Sequence, residues 1–241
     1  MSYIATAETN VVWAIDMDHD AWILDEGKIT IEGIISNEEK GWTLVAPKKM
    51  KKVDVGFNSH VLGLDQSGMA FFRTGITVTK PMGSGWHKMG GKVHKDIAMC
   101  DNGQMFTLSA KGVLLQRRGI PGVQERKDSV VMGSAWVKSG TSAVFTAVAC
   151  GQHGKVWMLQ KDGRAYRCHG ISNKSPRCKQ IKKVNYGLKF LDIDVGIDGE
   201  VWAVDNHNNA VHRVGMDKFE GEGISWKVIK ADFIKISVGE C

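Results

Sequence analysis

Residues 191–205 read Leu191-Asp192-Ile193-Asp194-Val195-Gly196-Ile197-Asp198-Gly199-Glu200-Val201-Trp202-Ala203-Val204-Asp205. Apolar residues alternate with polar or small ones on both sides of a Gly-containing break, which is the pattern of two short half-buried strands around a turn. The first half has counterparts elsewhere in the chain: Val53-Asp54-Val55-Gly56, Ile97-Ala98-Met99-Cys100, Ala147-Val148-Ala149-Cys150 and Ile236-Ser237-Val238-Gly239. Their final residues succeed one another at spacings of 44, 50, 46 and 43.

The stretches after these segments repeat as well. A second strand is expected at residues 61–65 (VLGLD), 105–109 (MFTLS), 156–160 (VWMLQ) and 201–205 (VWAVD), with 12–16 (VWAID) as an N-terminal member. Tight turns come next, at Asp65–Gly68, Ser109–Gly112, Gln160–Gly163 and Asp205–Asn208, where Gly and Asn accept positive φ. A third strand then ends in Arg73, Arg117, Arg167 or Arg213, each shortly before a Gly. The fourth strand opens with Trp42, Trp86, Trp136 or Trp226. The N-terminal copy has Leu24 in the Arg position, and the remaining copy has Ile181 in the Trp position.

Four short antiparallel strands recurring about every 45 residues are the pattern of a β-propeller blade. The segments ending in Gly, Ala or Cys suit the innermost strands, where backbones converge. The expected fold is therefore all-β: a five-bladed β-propeller of four-stranded antiparallel blades, residues 1–241 forming one domain. Strands from the two chain ends would complete one shared blade, which removes free edges. The segment Ser2–Ala7 competes for the same inner position, so a six-bladed ring with an incomplete last blade, or strand exchange between chains, stays open.

The recurring Trp, VDVG-like strand, VWAV strand, turn and aromatic-x-Arg-x-Gly-Ile resemble the tectonin repeat. The copies that carry the resemblance are Trp42 through Val53–Gly56 and Val61–Leu64 to Phe72-Arg73-Thr74-Gly75-Ile76, and Leu191–Gly196 with Glu200–Val204. Members of that family are β-propellers. Several are lectins that bind sugars on bacterial or other foreign surfaces, and others are protein- or lipid-binding modules. The resemblance implies a lectin with several equivalent sites, acting in defence against microbial surfaces. The alternative is a propeller scaffold that binds protein or anionic lipid.

Two roles suit the repeated residues. Trp42, Trp86, Trp136 and Trp226 offer aromatic faces for pyranose rings, or pack between blades. Arg73, Arg117, Arg167 and Arg213 offer fixed donors to hydroxyl or acidic groups, or tie blades together. Asp16, Asp18 and Asp20 are a weak calcium candidate, because the sixth position is Ala21 and the twelfth is Gly27 where a calcium loop has Gly and Glu. A polar turn is the preferred reading, and no cofactor is expected.

Composition reads as a soluble globular chain able to bury a core. The chain is 43% hydrophobic with 28 Gly and 4 Pro, and carries a net charge of +6. The densest basic run, Lys48-Lys49-Met50-Lys51-Lys52, reads as a solvated rim or as a contact to an anionic surface. The eight histidines are dispersed and no nucleophile elbow occurs, so an enzyme is not expected. Glycans, bacterial surface polysaccharide among them, are the expected partners. Nucleic acid and a transmembrane segment are not expected, and a homo-oligomer stays open. With no export signal read at the N-terminus, the expectation is cytoplasmic, with non-classical secretion as the other route. Reduced thiols are expected from five cysteines without a CxxC pair, although in an oxidising compartment Cys168 and Cys178 could meet across a loop.

Overall fold

A computed structural model describes residues 3–6, 11–25, 41–45, 48–120, 132–140, 142–151, 154–171, 177–184, 187–196, 198–216, 222–230 and 232–238. Ala7, Gly27, Gly239 and Cys241 lie outside them. Among the described residues there is no α-helix.

The first sheet runs β1 (Tyr3–Thr6), β2 (Val11–Ile15), β3 (Ala21–Asp25) and β4 (Trp42–Leu44), each antiparallel to the next. The second contains seven strands: β5 (Met50–Val55), β6 (Val61–Asp65), β7 (Met69–Thr74), β8 (Gly85–Met99), β9 (Met105–Ser109), β10 (Leu114–Arg118) and β11 (Ala135–Lys138). The third holds β12 (Ala147–Cys150), β13 (Val156–Leu159), β14 (Ala165–His169) and β15 (Gln180–Lys183). The last holds β16 (Phe190–Val195), β17 (Val201–Asp205), β18 (Ala210–Val214) and β19 (Ser225–Ile229).

The seven-stranded sheet is two copies of the repeat fused through one long strand. The first part of β8 pairs with β7, placing Trp86 opposite Arg73, and the last part pairs with β9, placing Ala98 opposite Phe106. The sequence reads as two separate strands here, with the glycines Gly90 and Gly91 between them. In the structure these glycines lie inside β8, in space open enough that an added Cβ would touch nothing.

The inner strands β1, β5, the end of β8, β12 and β16 contact one another in chain order. Their small terminal residues are needed there: a Cβ on Gly56 would lie 2.8 Å from the carbonyl oxygen of Cys100, and one on Gly151 would collide with that of Gly196. Hydrophobic clusters fill the spaces between consecutive sheets. Trp13 packs edge-on to Trp86 at 6.0 Å and Trp157 edge-on to Trp226 at 6.2 Å.

Two expectations are corrected. The chain ends do not share a sheet: β1 fills the inner position of the first sheet, pairing Ala5 with Trp13, and the last sheet is complete without it. A single strand β2 has only one edge to offer an inner partner, and the local strand Tyr3–Thr6 takes it. The four cysteines among the described residues are paired rather than reduced: Cys100–Cys150 joins neighbouring inner strands and Cys168–Cys178 closes a loop within the third sheet.

Candidate functional site

The repeated Arg and Trp meet across the third and fourth strands. Register places Arg73 opposite Trp86, Arg117 opposite Trp136 and Arg213 opposite Trp226, with each guanidinium 5.1–5.2 Å from the indole centre. A planar cation over an aromatic face is favourable, more so when sheltered from water. All four arginines are buried, including Arg167.

The guanidinium donors are directed at the connection between the same two strands. Arg73 Nε donates to Met82 O at 2.7 Å. Arg117 donates to Met132 O and Gly133 O of its connection and also reaches Met89 O on β8. Arg213 donates to Glu222 O and Gly223 O. Each clamp closes a connection whose last turn needs a glycine at positive φ: Gly83, Gly133 and Gly223, at +66°, +66° and +68°. A Gly three residues before each of these tryptophans is the sequence signal that identifies the clamp, and sequence reasoning passed over it. Burial also pushes the Arg73 and Arg117 side chains below their ordinary pKa.

Two copies depart from this. In the first sheet Leu24 lies opposite Trp42, so the indole is half-buried without a guanidinium. In the third sheet the residue opposite Arg167 is Lys182, one place beyond the Ile181 expected from alignment, and Ile181 lies opposite Cys168. Trp86 and Trp226 are half-buried and Trp136 is buried, its Nε1 donating to Met89 O. Thr77, Thr79 and Ser84 present exposed hydroxyl-bearing side chains on the connection above Arg73.

The acidic turn has a structural role. Asp16 Oδ1 accepts from the backbone N–H of Asp18 and Asp20, and Oδ2 accepts from Trp22 Nε1. Asp65 and Asp205 cap their turns in the same way. Partial burial would raise the Asp16 carboxyl, but these donors outweigh it and hold it below the usual carboxylate value. Asp20 pairs with Lys49 at 2.6 Å. Among the described residues no group of three or more His, Cys, Asp or Glu is placed to hold a metal ion.

The basic run is largely engaged. Lys48 pairs with Asp65 at 3.4 Å and lies over the Phe71 ring, and Lys52 pairs with Asp96 at 2.7 Å. Lys52 belongs to a cluster of inner-strand groups with Tyr3, Asp54, Asp96 and Asp194. Burial is the largest influence on Asp54 and Asp194 and pushes them up to about 7 and about 6, against opposition from Lys52 and backbone donors. Burial alone would lower Lys52, but the surrounding carboxylates carry it well above its ordinary value.

Comparison with known proteins agrees with this architecture. The family model described as "Tectonin domain" matches residues 1–111. Human WBSCR16 superposes with a TM-score of 0.53 at 14% identity, over 84% of this chain and 59% of that one. YCF48 bound to D1 peptide gives 0.50 at 13%, over 94% and 65%. Prp20p from Saccharomyces cerevisiae gives 0.55 at 18%, over 92% and 62%. The chain thus spans about six-tenths of the length of these structures, and the likeness concerns the fold, a β-propeller. No curated protein matches the sequence. No helix among the described residues is long and apolar enough to cross a membrane.

Proposed function

We propose that this chain, whose residues 1–111 match the tectonin family model, is a carbohydrate-binding propeller of five four-stranded blades with equivalent shallow sites around its rim. The blade count comes from dividing the seven-stranded sheet at β8. The observation that carries the reading is the repeated clamp. Arg73, Arg117 and Arg213 donate to main-chain carbonyls that close the connections at equivalent places, each beside a tryptophan of the fourth strand.

In this reading the buried arginines are positioning residues, and Arg167 supports the third sheet in the same capacity. The ligand surface is formed by the accessible parts of Trp42, Trp86 and Trp226, with Trp136 beneath, and by connection hydroxyls such as Thr77, Thr79 and Ser84. Aromatic faces suit the C–H face of a sugar, and hydroxyls suit its polar rim. Weak single sites gain strength on a repetitive microbial surface by acting together. In this reading the binding uses no metal: the Asp16 carboxylate accepts the turn's N–H groups and the Asp20 carboxylate pairs with Lys49.

The anionic-surface alternative has less support, because Lys48, Lys49 and Lys52 are each paired with an aspartate. A glycan array, run with calcium and with chelator, tests the proposal. The expected result is calcium-independent binding to a defined glycan class, reduced at least tenfold by Trp86→Ala combined with Trp226→Ala. No binding across diverse glycans, methylated ones included, overturns it.

A further inference from the structure

At each internal junction the face of one sheet is covered by the next, and the same positions at the two ends of the series are uncovered. The residues opposite Ala5, Asp54, Ala98, Ala149 and Asp194 of the inner strands are Trp13, Leu62, Phe106, Trp157 and Trp202. The first four are fully buried and Trp202 is not. Trp13 and Trp157 each meet the fourth-strand tryptophan of the following sheet, whereas the ring stacked on Trp202 is His212 of its own sheet, at 4.5 Å. Ile229, opposite Ala210, is 40% exposed, while Val45 and Val184, bonded at the matching place in their sheets, are 2% and 1% exposed. On the first sheet Ile4 is 43% exposed, against 0–5% for its equivalents Val53, Ile97, Val148 and Ile193.

Beside the inner strand of the last sheet, the C-terminal segment already sits as a further inner strand would. Asp194 Oδ2 accepts from Val238 N at 2.7 Å, and Asp192 Oδ2 from Ile236 N at 3.1 Å. Asp54 holds Met99 N at 2.6 Å in the same manner, and Met99 is on an inner strand whose other edge pairs with β9. Among the described residues, no strand pairs with Ile236–Val238.

We infer that Ile236–Val238 is the inner strand of a further sheet, and that the faces bearing Trp202 and Ile4 bind a polypeptide that supplies three antiparallel strands outward of it. The occupant is a β-meander with an aromatic residue on its outermost strand, because that is what covers the same face at the Trp13 and Trp157 junctions. Backbone pairing provides the attachment and the aromatic position the selectivity. This inference stands apart from glycan binding, which concerns the rim.

The probe is built from the chain's own repeat. Residues 57–92 succeed Gly56 as the added strands would succeed Gly239, so the full chain is extended after Gly239 with a second copy of residues 57–92. A Gly/Ser extension of equal length is the control. The expected result is a Tm higher by more than about 4 °C and acrylamide quenching of Trp202, assigned with Trp202→Phe, lowered at least twofold. No difference from the control in either measurement overturns the inference. A second measurement uses the unextended chain: Trp202 should be quenched more strongly than Trp13 or Trp157. Equal protection of Trp202 in a monomer overturns the inference, and so does self-association that protects it, which would make a second copy the occupant.

Discussion

Asp54 on one inner strand accepts a hydrogen bond from Met99 N on the next at 2.6 Å, and Asp194 does the same for Val238. Both carboxyls share the crowded inner region with Lys52 and Tyr3. The junctions are thus joined by side-chain-to-backbone bonds near the axis as well as by apolar packing farther out, and the two kinds of contact respond differently to pH.

Asp54 and Asp194 are raised to about 7 and about 6 in the fold. A raised carboxyl binds protons more tightly folded than unfolded, so its contribution is full below about pH 4 and is lost as pH rises through 6 to 7. The wild type should therefore lose more Tm between pH 5 and pH 8 than Asp54→Asn or Asp194→Asn, which keep an acceptor without a charge. Equal slopes in calorimetry would refute the assignment.

His94 works in the opposite sense. It is buried against Trp136 at 5.3 Å, and burial, aided by Lys92 and Arg117, lowers it to about 4. Its contribution is full above about pH 6.5 and is lost as pH falls through 4. His94→Gln should flatten the acid limb of the stability profile while leaving the limb above pH 7 unchanged, as followed by thermal melts from pH 3.5 to 8.

Arg117→Lys should destabilise the fold by about 2 kcal/mol, a Tm loss of about 4–8 °C. Lysine keeps the charge but cannot reach three carbonyls and lie flat on Trp136 at once. The same substitution at Arg118, which is exposed, should change Tm little.

Reduction of the Cys100–Cys150 bridge, which spans 50 residues, should cost about 2–4 kcal/mol through release of loop-closure entropy. Cys100→Ser and Cys150→Ser should each lower Tm, and the double variant should be no worse than the lower single. Peptide mapping without reductant checks the pairing directly.

Much of the fold was legible from the chain. Alternation marked the strands, and the small residues Gly56, Cys100 and Cys150 marked the close approaches. The Arg and Trp positions were found, but their mutual geometry was not, because strand register depends on bulges such as that between Met69 and Phe71. In the third sheet, pairing of His169 with Gln180 brings Lys182 rather than Ile181 opposite Arg167.

Repetition of local pattern determined the kind of element, its order and its small-residue inner ends, since those arise from backbone sterics and side-chain alternation within a few residues. Tertiary structure decided which strand fills the inner place of the first sheet, that Lys48, Lys49 and Lys52 are paired, and that Trp202 and Ile4 are uncovered while their counterparts are buried. The physical reason is that equivalent residues have equivalent local sequences but different neighbours, and burial and pairing are properties of the neighbours.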